Sequence, residues 1–113
     1  MDCVFCGIVN GDIPSEKLYE NEHVIVIKDI HPVAPVHVLI IPKRHIANIL
    51  EVGPEEENVI LEMHRAVIKV AELTGAGKKG FRLINNCGKH GGQTVMHLHF
   101  HLIGGVNMGA RLR

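Results

Sequence analysis

Residues 23–42 read HVIVIKDIHPVAPVHVLIIP. Two β-branched, apolar runs, HVIVIKDI (23–30) and VHVLIIP (36–42), flank HPVAP (31–35), whose two prolines force a turn. Both runs have the length and composition of strands, and Pro42 ends the second. The stretch therefore predicts an antiparallel hairpin whose second strand is well buried.

The neighbouring segments extend this sheet. Residues 54–74 predict one long helix: Pro54 suits the first helical position, and Glu55, Glu56 and Glu57 favour the positive end of the helix dipole. Ile60, Met63, Val67 and Val70 recur at steps of three and four, giving one apolar stripe. Gly75 and Gly77 stop it. FRLINN (81–86) alternates as a third strand, CGKHGG (87–92) is a glycine-rich connection, and QTVMHLHFHLIGG (93–105) returns as a strand. FCGIVNGDIP (5–14) allows one short helical turn near the start, and the tail after Gly105 is polar and irregular. The pattern is that of an α+β domain with a mostly antiparallel sheet, one long helix and a short N-terminal helix.

At 113 residues the chain reads as one domain, residues 1–113. Its composition, 46% hydrophobic and 21% charged, is that of a globular protein. Twelve basic residues balance twelve acidic ones, leaving no broad cationic field for a nucleic acid polymer. A nucleotide in a pocket needs only local donors and stays possible. No secretory leader pattern and no apolar run of about 18 residues are present, so no membrane association and a cytoplasmic location are expected. Three cysteines, an odd count in a reducing compartment, argue against a disulfide framework.

Nine histidines are present, and their placement carries the chemistry. On a strand, residues two apart point the same way, roughly 6.6–6.8 Å apart. His97, His99 and His101 would then share one face, with Met96, Leu98, Phe100 and Leu102 on the other. One such histidine is ordinarily a satisfied core residue; three in register each need a partner for their ring nitrogens. Two chemistries compete. The three could bind a catalytic zinc, although LIGGVNMGARLR after them supplies no carboxylate ligand. Or they could act on phosphorus, where neutral imidazole is a good nucleophile and a flanking imidazolium supplies charge or a proton. The preceding NNCGKHGGQTV favours phosphorus: its glycines let backbone N–H groups approach an anion, and Asn86, Gln93 and Thr94 can donate to phosphate oxygens.

HLHFHLI (97–103), within GGQTVMHLHFHLIGG (91–105), resembles the signature of the histidine triad (HIT) family of nucleotide hydrolases and transferases. DIHPVAPVHVLIIPKRHI (29–46) is similar to the family's second characteristic stretch. The likeness runs from FCGIVNGDIP to Gly105 and is closest to the Hint-like branch, the small purine nucleoside phosphoramidases, in its zinc-containing bacterial type. It implies the HIT-like fold and a homodimer. The implied reaction is hydrolysis of a purine nucleotide conjugate at its α-phosphate through a covalent nucleotidyl-histidine, releasing a nucleoside monophosphate, with no magnesium required. By position, the resemblance makes His99 the nucleophile, with His101 and His37 handling charge and protons around the phosphate. It assigns Asn86, Gln93 and Thr94 to the phosphate and Asp29 to the ribose hydroxyls. Val4, Phe5, Ile8, Ile27 and Ile30 match the purine pocket; read without the resemblance, those five are core residues.

CVFC (3–6) has the spacing of half a zinc site, and alone it reads equally as two small buried thiols. The resemblance supplies the other half: Cys3, Cys6, His45 and His97 as a closed structural zinc site. His23, His64 and His90 read as solvated, His31 and Cys87 stay unassigned, and Lys43 and Arg44 read as a solvated basic strand end. Two other functions stay open: a nucleotide-binding regulatory protein with incidental turnover, and a zinc-dependent hydrolase using the triad as ligands.

Overall fold

A computed structural model describes residues 3–113. Helix α1 (Val4–Val9) is followed by strands β1 (Lys17–Glu20), β2 (Val24–Lys28) and β3 (Val36–Pro42), the long helix α2 (Glu57–Thr74), and strands β4 (Phe81–Ile84) and β5 (Phe100–Gly104). The five strands form one antiparallel sheet in the order β1-β2-β3-β5-β4. This is the predicted α+β architecture, a mostly antiparallel sheet with one long helix and a short N-terminal helix. Among the described residues, no helix is long and apolar enough to cross a membrane.

The hairpin of β2 and β3 is the centre of the sheet, with Val24 opposite Pro42 and Lys28 opposite Val38. Alternation divides its side chains between two layers. Val24, Val26, Val38 and Ile40 face α2, where they meet Met63, Ala66, Val67 and Val70 together with Leu98, Phe100 and Leu102. Burial of each large side chain in this layer contributes about 1.5–3 kcal/mol. Ile25, Ile27, Leu39 and Ile41 face the other way and pack against Phe5 and Ile8 of α1. Covering both faces explains why these strands are apolar almost without interruption.

Several boundaries depart from the sequence pattern. Residues 54–56 form a 3-10 turn and the α-helix starts at Glu57; Gly75 ends it with φ +78°, its N–H donating to the Glu72 carbonyl. Strand β1 has no counterpart in the sequence reading, because KLYE lacks a clear apolar alternation. It is an edge strand defined by its ladder with β2, irregular between Lys17 and Tyr19.

The histidine strand is shorter than predicted. Only His101 lies within β5; His97 and His99 precede it. Strand β4 ends at Ile84, opposite His101, and the last β3 pair is Ile40 with Phe100. Before that point the loop after β3 holds the segment, through the Leu98 N–H donating to the Ile46 carbonyl at 2.7 Å. Leu98, Phe100 and Leu102 keep their predicted face, but Met96 is 51% exposed and leaves the core layer.

Gly105 closes β5 at φ +83°, where an added Cβ would lie 3.0 Å from Pro35 Cβ and 3.3 Å from the Val36 nitrogen. Gly105→Ala therefore combines a disfavoured backbone with a clash. It is expected to destabilise the fold by about 1–3 kcal/mol, read as a lower urea midpoint; an unchanged midpoint would refute the account of this turn.

Candidate active site and metal centre

The α1 face of the sheet carries two clusters joined by residues 97–101. In the first, His97 is fully buried, and its Nε2–H donates to the Pro42 carbonyl at 2.8 Å. That bond leaves the Nδ1 lone pair facing Cys3 Sγ at 3.3 Å, Cys6 Sγ at 3.6 Å and His45 Nδ1 at 3.2 Å. His45 Nδ1 also lies 3.3 Å from Cys6 Sγ, and all four candidate ligand atoms fall within 4.8 Å of one another. A regular tetrahedron built on ordinary Zn–N and Zn–S bonds has N–N edges of roughly 3.3 Å and S–N edges of roughly 3.6 Å. The cluster matches those edges. The Pro42 carbonyl also plays the orienting part typical of a group behind a metal-bound imidazole, fixing the tautomer that points a lone pair inward. The residues therefore fit a tetrahedral metal ion. Cys3 reaches the cluster as the N-cap of α1, where its sulfur accepts the Cys6 N–H.

The second cluster lies further along β5. The His99 Nδ1–H donates to the His97 carbonyl at 2.8 Å, so the Nε2 lone pair is the free one. Phe5 packs edge-on against this ring, with centroids 5.0 Å apart. Burial holds His99 below the ordinary histidine value of 6.5, opposed by its bond to His97 and by the charge of Asp29. The ring is thus a neutral, oriented imidazole.

His37 on β3 and His101 on β5 are diagonal neighbours on this face. The Val33 N–H donates to His37 Nδ1 at 3.1 Å, which places the proton of a neutral His37 on Nε2. That nitrogen lies 2.9 Å from His101 Nδ1 and 3.4 Å from Asp29 Oδ2. The chain of bonds leaves the proton of His101 on its own Nε2. Burial lowers the His101 pKa, the charges of His99 and His37 add to the effect, and Asp29 opposes it. Asp29, His37 and His101 converge closely enough to hold a cation, but the Val33 N–H occupies the nitrogen on which a metal-bound His37 would carry its own proton.

The triad rings do not converge on one point. His97 turns to the cysteines, His99 to a backbone carbonyl and His101 to His37. A single zinc held by all three, the hydrolase alternative raised by the sequence, does not fit this arrangement.

Known proteins share this sequence and fold. The HIT domain family matches residues 10–108. The chain belongs to the histidine triad family. This histidine triad protein is 40% identical to the purine nucleoside phosphoramidase of Escherichia coli (strain K12) over 111 residues, covering 98% of its own chain and 93% of that relative. It is 42% identical to an uncharacterized HIT-like protein of Helicobacter pylori, over 90% of its own chain and 95% of that one. Among solved structures, a HIT family hydrolase from Clostridium thermocellum superposes with TM-score 0.97 at 54% identity, covering 99% of this chain and 97% of the other. A histidine triad protein from Clostridium difficile gives TM-score 0.94 at 42% identity, covering 98% and 96%.

Within this histidine triad protein, several predicted contact residues sit differently from expectation. Both amide hydrogens of the buried Gln93 go to backbone carbonyls, Ala47 at 2.7 Å and Val95 at 3.0 Å, while its oxygen accepts the Gly88 N–H at 2.9 Å. Its side chain clamps the glycine-rich connection and has no free donor for phosphate. Asp29 Oδ1 accepts the His31 N–H at 2.8 Å, the turn-forming bond expected of an acid at that position. The five apolar residues of the predicted purine pocket separate: Phe5, Ile8 and Ile27 are core residues of the α1 layer, Val4 is exposed, and Ile30 is 85% exposed. Asn86 is half-buried and Thr94 exposed. A cleft of about 840 Å³ is lined by Thr74, Lys79, Phe81, Arg82 and residues 105–109, and none of the triad histidines lines it. His23, His64 and His90 are exposed, as their lack of motif partners predicts.

What the sequence does not disclose is largely backbone. The Pro42 and His97 carbonyls and the Val33 N–H set all three tautomers, and no residue type signals them. One side chain escaped as well: the Asn85 amide donates to the His99 carbonyl at 2.9 Å.

Proposed function

We propose that this histidine triad protein is a nucleotide-conjugate hydrolase that cleaves purine nucleoside phosphoramidates, or related conjugates, at the α-phosphate. The observation that carries this reading is the hydrogen bond from His99 Nδ1–H to the His97 carbonyl, which leaves a neutral, buried Nε2 as a fixed nucleophile. In the first step His99 Nε2 attacks phosphorus of a conjugate protonated on its bridging nitrogen, the P–N bond breaks, and the amine departs neutral, accepting a hydrogen bond from His101 Nε2–H. His37 and Asp29 stand behind His101 and hold that N–H toward the leaving group. In the second step water attacks the nucleotidyl-histidine, the P–Nε2 bond breaks to restore neutral His99, and a nucleoside monophosphate leaves while the second proton of the water passes to solvent. Asn86 and Thr94, at the two ends of the connection held by Gln93, receive the phosphate oxygens. Asp29 receives the ribose hydroxyls, and Phe5, Ile8 and Ile27 floor the base site, flanked by Val4 and Ile30.

Cys3, Cys6, His45 and His97 hold a structural zinc in this reading, a closed site that braces α1 against the catalytic segment. The protein pairs as a two-fold dimer. Its exposed apolar residues support this: Leu61, Ile68 and Leu73 on α2, with Phe81 and Leu83 on β4, an edge strand whose outer backbone has no neighbour in the sheet.

The reaction is tested by incubating the protein with adenosine and guanosine phosphoramidates and with a dinucleoside polyphosphate, following products by phosphorus NMR. Release of monophosphate from a phosphoramidate is the expected result; tight monophosphate binding without turnover would favour the regulatory binding protein instead. The pH profile gives a second check. Protonation of His99 removes the attacking lone pair, and its pKa lies below 6.5, so activity should persist as pH falls through 6.5. The acid limb of kcat/KM, which reports the free enzyme, is expected below that value; a limb at or above 6.5 would contradict the buried, neutral nucleophile.

A further inference from the structure

We propose that Asn85 is a positioning residue for the nucleophile, its side-chain amide standing in for the strand that leaves β5 beside His99; the role rests on the reading of His99 as nucleophile. Strand β4 pairs Phe81 with Gly104 and continues to Ile84 opposite His101. Carried two residues further, the same register would set Asn85 and Asn86 against Phe100 and His99. The chain instead leaves the sheet after Ile84 for the glycine-rich connection. The His99 carbonyl would lose a ladder partner at that point, and an unpaired carbonyl in a buried segment is costly. The half-buried Asn85 supplies the substitute: its Nδ2 donates to that carbonyl at 2.9 Å, across fourteen residues of sequence.

The nucleophile is consequently held from three sides. Its ring is fixed by the His97 carbonyl, its flank by Phe5, and its own carbonyl by Asn85. The last two contacts act on different parts of the residue, so Asn85 controls the backbone on which the ring is mounted. It touches no reacting atom in the proposed mechanism. Its neighbour Asn86 is the one proposed to meet phosphate, so adjacent asparagines divide the work between positioning and binding. The arrangement also frees residues 86–92 from the sheet to form the anion-facing connection while the strand bearing His99 stays tied.

The test compares wild type with Asn85→Leu, which keeps the size and removes the donor, and Asn85→Asp, which sets a carboxylate against the carbonyl. Misplacing a reacting group by about 1 Å costs on the order of 100-fold in rate. Single-turnover formation of the nucleotidyl-enzyme is expected to slow by about 10- to 100-fold in both variants, with monophosphate affinity changed less than about threefold. A rate within about twofold of wild type in both variants, or affinity falling in step with rate, overturns the proposal. Two measurements do not depend on turnover. In the wild-type protein one Asn85 side-chain N–H should exchange slowly with solvent, and fast exchange of both overturns the assignment. The ring-nitrogen NMR shifts of His99 should report a protonated Nδ1 in wild type and a mixture of tautomers in Asn85→Leu. If wild type forms no nucleotidyl adduct, the proposed reaction fails, while the exchange and tautomer readings still decide the place of Asn85.

Discussion

His99→Asn is expected to lower hydrolysis of a nucleoside phosphoramidate by about 10⁴-fold or more, the scale seen when a covalent nucleophile is removed. Affinity for a nucleoside monophosphate should stay within several-fold. The two effects separate because the buried, oriented lone pair of His99 lies outside both the Cys/His cluster and the His37–His101 contact. Asparagine keeps a polar group able to face the His97 carbonyl and leaves the Phe5 layer largely filled. It offers no nitrogen lone pair of comparable basicity, since an amide nitrogen is not nucleophilic. His37 and His101 cannot substitute, because their facing nitrogens are engaged with each other at 2.9 Å. Steady-state kinetics with a fluorogenic phosphoramidate, paired with calorimetric titration of a monophosphate, gives both numbers. Loss of less than about tenfold in turnover would mean that water attacks phosphorus directly and His99 only assists.

The second large effect concerns the Cys3, Cys6, His45 and His97 cluster. A ligand held at 1,000 times its Kd stabilises the folded state by about 4 kcal/mol, and each kcal/mol moves Tm by about 4–8 °C in a domain near 100 residues. Stripping the metal with a strong chelator is therefore expected to lower Tm by about 16–32 °C. Elemental analysis should find one zinc per chain before treatment and none after. A Cys3→Ala/Cys6→Ala protein should show the low Tm with or without chelator. The size of the effect follows from what the cluster joins: α1 contributes the cysteines, the loop after β3 contributes His45, and the catalytic segment contributes His97. Turnover measured well below the lowered Tm should fall far less than in His99→Asn, because none of the four ligands is proposed to touch phosphorus. Equal Tm values with and without chelator, in protein shown to contain metal beforehand, would refute the structural role.

The hairpin was legible from its two β-branched apolar runs with prolines between them, and the long helix from the 3.6 period of its apolar stripe. β1 was not, since KLYE is stabilised by its ladder with β2 rather than by its own pattern. The histidine segment illustrates the limit more sharply. Alternation correctly separated His97, His99 and His101 from Leu98, Phe100 and Leu102, yet it could not say where the ladder begins, which depends on where β4 and β3 stop pairing. Motif resemblance named the members of the Cys/His cluster, and the fold brings all four together. It assigned Gln93 to phosphate, whereas in the fold both amide hydrogens go to backbone carbonyls, a choice set by which carbonyls the loops deliver. It passed over Asn85 for the same reason: two adjacent asparagines look alike until one of them is seen to face the His99 carbonyl.

The central claim is that hydrolysis passes through a nucleotide bonded to His99. Its most direct test is to mix enzyme with excess purine nucleoside phosphoramidate, quench in alkali within one turnover, digest, and map the modified peptide by mass spectrometry. The account predicts a nucleoside monophosphate adduct on His99, stable in alkali, lost in acid, and absent from His99→Asn. Turnover with no adduct at any time point, or an adduct on His37 or His101 instead, would contradict it.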